Sequence, residues 1–260
     1  MLNLRDIVFV PSVQHTGTWF TIRFLQNFFS RQRELTYLLE EEGKHESEDS
    51  LCPRFYQHPL NERTVAHIHF PIVRFLNFDV TFPKTRFERI WHENLRTQRS
   101  SSIDTILAVT NFFKTVIPIR DPLAAILTRE ARHPQFRHFF IVDGFVALAK
   151  EFARHPNVMF LPIDLPMSVE DREKLLNRIL AHCEVEHDGV VVHRVAKHWP
   201  VENPTPGNHF KELYLKGDVE KLQFLMGPKW AEVRYLKNMA SIILPFLASL
   251  GYEKQYLNLW

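Results

Sequence analysis

The stretch Ile7-Val-Phe-Val-Pro-Ser-Val-Gln-His-Thr-Gly-Thr-Trp-Phe-Thr-Ile-Arg-Phe-Leu25 decides the fold class. Ile7 to Val10 is β-branched or aromatic and reads as a buried strand that ends at Pro11. Ser12 to Thr18 is polar and contains Gly17. Trp19, Ile22, Phe24, Leu25, Phe28 and Phe29 then recur at helical spacing. Strand, glycine turn and helix in immediate succession open a nucleotide-binding α/β unit.

The same alternation continues outward. Thr64 to Phe70 reads as a strand stopped by Pro71, Lys114 to Ile119 as another, and Asn157 to Leu161 as a fourth. Asp121-Pro122 opens a helix with proline in the first turn, where its missing N–H costs little. A long apolar-striped helix is predicted over Phe136 to Ala153. Ser168 is the N-cap of a helix that runs to about His182. Ile103 to Phe113 has helical spacing, Phe87 to Leu95 reads as a short helix, and two helical stretches (218–226 and 230–250) close the chain. Residues 38–62 read as a solvated helix end and a loop, and 200–209 as a loop. No repeat or linker divides the sequence. The expectation is one α/β domain over residues 1–260, with a central, mostly parallel sheet covered by helices on both faces.

Composition bounds the function. The 260 residues are 45% hydrophobic and 24% charged, which excludes a disordered chain, a collagen and a coiled coil. Lys+Arg 32 against Asp+Glu 30 leaves a formal charge of +2, so no basic field points to nucleic acid. Cys52 and Cys183 make neither a disulfide framework nor a zinc motif, and a reducing, cytoplasmic location is expected. The N-terminus is too polar for a signal peptide, and no apolar run reaches the roughly 20 residues of a membrane span.

Ligands of open α/β sheets bind at the C-terminal ends of strands, so those ends are searched first. In His15-Thr-Gly-Thr18 the turn offers backbone N–H groups and the positive end of a helix dipole, both suited to an oxyanion. Gly17 admits close approach, Thr16 and Thr18 add hydroxyls, and His15 adds a charge when protonated. An ordinary turn with threonine as N-cap accounts for the same residues. The G-x-x-x-x-G-K-S/T phosphate-loop pattern is absent from the sequence, which counts against an ATP-dependent kinase.

His67 and His69 lie two apart on a strand and so share a face, with His69 at the C-terminal end. A neutral imidazole there can take a proton from a substrate hydroxyl. A pair of structural histidines, or two ligands of a zinc site, fit the same spacing. Arg120 ends the third strand, and Thr128 follows on the next helix a little over two turns on. The two can grip a phosphate from two directions. A surface pair of Arg120 with Asp121 is the plainer alternative.

Together these residues resemble the sulfotransferase family that uses 3′-phosphoadenosine 5′-phosphosulfate (PAPS). His15-Thr-Gly-Thr18 resembles its phosphosulfate loop, K-S/T-G-T-T. Ile119-Arg-Asp-Pro122 with Thr128 resembles its 3′-phosphate motif, R-N/D-P followed by serine at the same offset. Ala66-His-Ile-His-Phe-Pro71 resembles its K-T-H-L-P strand. The three occur in the family's order over residues 6–130, and Tyr214-Leu-Lys-Gly217 is similar to a late basic-glycine segment. The sequence departs from the pattern at His15 and His67, where lysine is usual, and at Thr128, where serine is.

The resemblance implies a P-loop-nucleotide-transferase-like fold and sulfuryl transfer from PAPS to a hydroxyl or amine, leaving adenosine 3′,5′-bisphosphate. It implies His69 as general base, with His15 beside the leaving phosphate. It implies a donor site of His15, Thr16, Gly17, Thr18, Arg120, Thr128 and Lys216, and no metal. Trp19 is read first as core and second as packing near the adenine. The acceptor is a small molecule or glycan bound by the loops 43–62, 72–100 and 200–212. The alternatives are a nucleotide-dependent kinase or transferase of the same fold, a bisphosphate-binding protein that has lost activity with its lysines, and a metal hydrolase built on His67 and His69.

Overall fold

A computed structural model describes residues 7–13, 15–29, 31–34, 64–69, 106–107, 110–111, 113–132, 140–187, 189–199, 213, 216–227 and 230–252. Among the described residues five strands form one sheet: β1 (Ile7–Ser12), β2 (Arg31–Glu34), β3 (Thr64–His69), β4 (Lys114–Ile119) and β5 (Val158–Pro162). Their order is β2-β3-β1-β4-β5, and every pairing is parallel. The helices are α1 (Thr18–Leu25), α2 (Pro122–Arg132), α3 (Phe140–Ala147), α4 (Val169–His182), α5 (Gly189–Lys197), α6 (Val219–Met226), α7 (Trp230–Asn238) and α8 (Ala240–Ser249). One π-helical turn, Leu148–Phe152, continues α3. The α/β class with an open parallel sheet is therefore as expected.

The two-residue period of the strands sorts the core into two layers. Val8, Val10, Val65, Val116 and Leu161 pack with Ile22, Phe24 and Leu25 of α1, Leu176, Ile179 and Leu180 of α4, and Val192 and Ala196 of α5. Phe9, Ile117 and Ile119 pack on the other face with α2, α3, α6, α7 and α8. Each large side chain buried in this way stabilises the fold by about 1.5–3 kcal/mol.

Several local readings match the structure. β4 spans Lys114–Ile119, α2 starts at Pro122, and α4 runs Val169–His182. The Ser168 hydroxyl accepts the Asp171 N–H at 3.1 Å, as an N-cap should.

Others differ. β1 runs two residues past Val10, because its ladder with β3 continues through Pro11 against Ile68 and Ser12 against His69. Its pairing with β4 is made by Val8 and Phe9, so the proline's missing donor falls beyond that stretch. The predicted helix over 230–250 is two helices. The chain turns at Met239, whose N–H is shared between the carbonyls of Tyr235 and Leu236, and not at Pro245 inside α8. β2 and α5 have no counterpart in the sequence reading. The expectations for residues 38–62, 87–95 and 200–209 lie outside the described residues. No helix among the described residues is long and apolar enough to cross a membrane.

Candidate functional site

The chain leaves β1 toward β2 and β3 but leaves β4 toward β5. The C-terminal ends of β1 and β4 thus flank a point where the winding reverses, the position at which open α/β sheets bind ligands. The turn Val13–Gly17 stands there. Thr16 is fully buried between two residues in the left-handed region, His15 at φ 64° and Gly17 at φ 101°. Backbone of this kind can gather N–H groups around a concavity, although the Thr16 N–H bonds back to the Val13 carbonyl at 3.4 Å. A β-carbon on Gly17 would come within 2.3 Å of Ile163 Cδ1, so glycine is required there by space as well as by conformation.

The hydroxyls are arranged differently from the sequence reading. Thr16 Oγ1 donates to the Val13 carbonyl at 2.6 Å and closes the turn from within. Thr18 Oγ1 and Ser12 Oγ share a buried hydrogen bond of 2.7 Å. The N-cap of α1 is Gly17, which offers no side chain, so neither threonine caps the helix and the ordinary threonine-capped turn is not what is built. The dipole end of α1 therefore points into the turn without an intramolecular side-chain acceptor from its own cap.

Trp19 does not occupy the core position expected of it. It is 58% exposed, in the first turn of α1, and its ring leans on that of His67 with centroids 5.8 Å apart. The hydrophobic stripe of α1 is carried instead by Ile22, Phe24 and Leu25. His67 is 4% exposed, tucked under the indole. The register sets His69 beside Ser12 at the C-terminal end of β3, one strand over from the turn.

Arg120 follows β4, and the guanidinium meets the helix that the sequence placed after it. Nη1 donates to Thr128 Oγ1 at 3.0 Å, eight residues on, and Thr128 is itself buried. The surface pair with Asp121 is not formed. Asp121 is buried and caps α2, accepting the Leu123 N–H at 2.8 Å.

The charge opposite Arg120 belongs to Asp164, which sequence reasoning missed. Its carboxylate lies 3.7 Å from Arg120 Nε, accepts the Asp121 N–H at 3.1 Å and accepts the Tyr252 hydroxyl at 2.6 Å. Burial, with Asp164 beside it, pushes the Asp121 carboxyl up to about 7, against the pull of two backbone donors and Arg120. Burial and Asp164 likewise hold the Tyr252 phenol well above its usual range. The one available signal was a parallel in the sequence. Pro118-Ile-Arg120 and Pro162-Ile-Asp164 both end a strand with proline, isoleucine and a charge.

Turn and guanidinium are joined through β5. Ile163, under Gly17, donates its N–H to the Ile119 carbonyl at 2.9 Å and accepts Trp199 Nε1–H at 2.6 Å. The next residue is Asp164. His15, His69 and Arg120 thus stand at the same end of three neighbouring strands. Lys216 is exposed in the turn before α6, in the layer opposite α1. Cys183 is buried with its thiol pushed up to about 12 by desolvation, which leaves it inert as a nucleophile. Comparison with protein-family models, characterised proteins and solved structures gave no match.

Proposed function

We propose that this chain is a sulfotransferase that moves the sulfuryl group of PAPS to a hydroxyl or amine, in a P-loop-nucleotide-transferase-like domain. The observation that carries the reading is the 3.0 Å bond from Arg120 to Thr128 at the strand end next to the Val13–Gly17 turn. Two elements suited to an anion, a helix-terminal turn and a half-buried guanidinium, stand at the ends of neighbouring parallel strands. A nucleotide with phosphate at both 3′ and 5′ positions is the ligand whose charges match that pair. The residues fit such a donor: Arg120 and Thr128 for the 3′-phosphate, and the backbone around Gly17 with His15 for the 5′ end.

The reaction is an in-line displacement at sulfur, by analogy with phosphoryl transfer. The acceptor atom bonds to sulfur while the sulfur–oxygen bond to the 5′-phosphate breaks, and the electron pair leaves on that phosphate. His69 accepts the acceptor's proton. The turn's N–H groups and a protonated His15 stabilise the charge that develops on the leaving oxygen. Trp19, exposed next to the turn, is available to a planar base.

Calorimetry tests this. Adenosine 3′,5′-bisphosphate should bind and ATP–Mg²⁺ should not. Arg120→Ala should weaken the bisphosphate about 10–100-fold and leave adenosine 5′-phosphate little changed. His69→Ala should abolish turnover with bisphosphate affinity intact. Preference for ATP–Mg²⁺ would reject the reading in favour of a kinase. A second reading, a bisphosphate-binding protein without transferase activity, is favoured by His67: the strand position where the family carries lysine is here a buried imidazole. Tight bisphosphate binding without transfer to any acceptor in a broad screen would select it.

A further inference from the structure

The proposed phosphate grip is built with a negative charge inside it. Arg120 is held on one side by Thr128 and on the other by Asp164, and both side chains of the ion pair are less than one-fifth exposed. Asp164 is in turn fixed by the Asp121 N–H and by Tyr252, whose hydroxyl also lies 3.2 Å from the Ile119 carbonyl. Among the described residues, the titratable groups facing this cluster are Arg120 and Asp121 after β4, Asp164 after β5 and Tyr252 after α8. A phosphate dianion laid on Arg120 therefore meets carboxylates in a poorly solvated corner, where charges interact over several ångströms with little screening.

Resting on the reading of Arg120 as a phosphate grip, we propose that Asp121 and Asp164 are specificity-determining residues whose shared negative charge opposes a dianion on Arg120, so that the grip takes the 3′-phosphate together with a proton. The proton comes from solvent onto the carboxylate pair, and no covalent bond changes. Burial and the neighbouring Asp164 push the Asp121 carboxyl up to about 7, the direction such a proton uptake needs. By linkage, an anion that binds better to the protonated form must itself draw the proton in.

The test compares the affinities of adenosine 3′,5′-bisphosphate and adenosine 5′-phosphate by calorimetry between pH 6.5 and 8.5. The ratio of the two isolates the 3′-phosphate and cancels any titration of His15 at the 5′ end. The ligand's own second ionisation, near pH 6, works in the opposite sense. The expected ratio falls about tenfold from pH 6.5 to 8.5. In Asp164→Asn, where an amide oxygen can still accept from Tyr252 and Asp121, it should stay level, with the bisphosphate bound about tenfold tighter than wild type at pH 8.5. Asp121→Asn, which keeps the oxygen that caps α2, should level it too and serves if the first variant fails to fold.

A merely structural Asp164 would instead loosen both ligands, and that result overturns the inference. So does a wild-type ratio independent of pH, or a pH dependence that survives both substitutions. If neither nucleotide binds wild type, the reading of the site falls and the inference falls with it. If both bind with a flat ratio, the site stands and the inference alone is lost.

Discussion

Replacing Gly17 by alanine should cost about 2–5 kcal/mol of stability, from two separable sources. The first is conformation: a β-carbon at φ 101° pays the left-handed penalty of about 1–2 kcal/mol. The second is space. The new methyl would lie 2.3 Å from Ile163 Cδ1 and 3.1–3.2 Å from its two γ-carbons. Ile163 cannot drift away freely, since its N–H and its carbonyl are both hydrogen-bonded, to Ile119 and Trp199. Overpacking of this kind costs about 1–3 kcal/mol.

Gly217 separates the two sources. Its φ is 73°, but a β-carbon there would meet nothing within 4 Å, so Gly217→Ala should cost only the conformational part, about 1–2 kcal/mol. Urea unfolding with a common m value is the assay. Ile163→Val removes Cδ1 and should recover part of the loss in the Gly17→Ala background, about 1 kcal/mol, while costing about 0.5–1.5 kcal/mol alone. If Gly17→Ala costs no more than Gly217→Ala, or if Ile163→Val is as damaging in the variant as in wild type, the close approach of turn and β5 is wrong.

Two further expectations concern stability. Burial, with Lys114 nearby, holds the His182 imidazole below its ordinary range although it donates to the Asn157 carbonyl. A lowered folded-state value means that the unfolded chain binds the proton more readily. His182 therefore contributes stability that is complete above about pH 6.5 and lost as pH falls below it. The urea midpoint should drop less between pH 7.5 and 5.5 in His182→Gln than in wild type, and equal drops would refute this. Ser168→Ala removes the cap of α4 and should cost about 1 kcal/mol in the same assay, whereas Ser168→Asp should be near neutral.

Much of the fold was legible because its signals are local. The β4–α2 junction was read to the residue, since Pro118, Asp121 and Pro122 act within their own turn. α4 was bounded by its capping serine. β2 was invisible: Arg31-Gln-Arg-Glu34 has no apolar alternation, and it is a strand because β3 pairs with it at the sheet's edge, where charge is tolerated. α5 was hidden by Val190-Val-Val192, whose β-branched side chains argue locally against the helix that packing on α4 supports.

In the site, the Arg120–Thr128 offset was readable because one helix spans it. The Asp164 contact was not, since it joins Asp121 to a residue 43 positions on, and Tyr252 lies 88 positions beyond that. The inward turn of Thr16 was equally unreadable, because a hydroxyl's direction depends on the turn's torsions and not on its composition.

The strand order also sets a timetable. Of the five strands described, β1 leaves the ribosome first, yet it lies in the middle of their order. Its partners begin 57 residues later (Ile7 against Thr64) and 106 residues later (Val8 against Lys114). At ordinary elongation speeds the second gap alone lasts roughly 5–20 s. Throughout that interval Val8-Phe-Val10, destined for full burial, has emerged with its β4 side unmatched, and for the first half of it β3 is missing as well. A nascent chain of this topology therefore has a long window in which a holding chaperone has something to hold, and the window shuts only after β4 clears the exit tunnel.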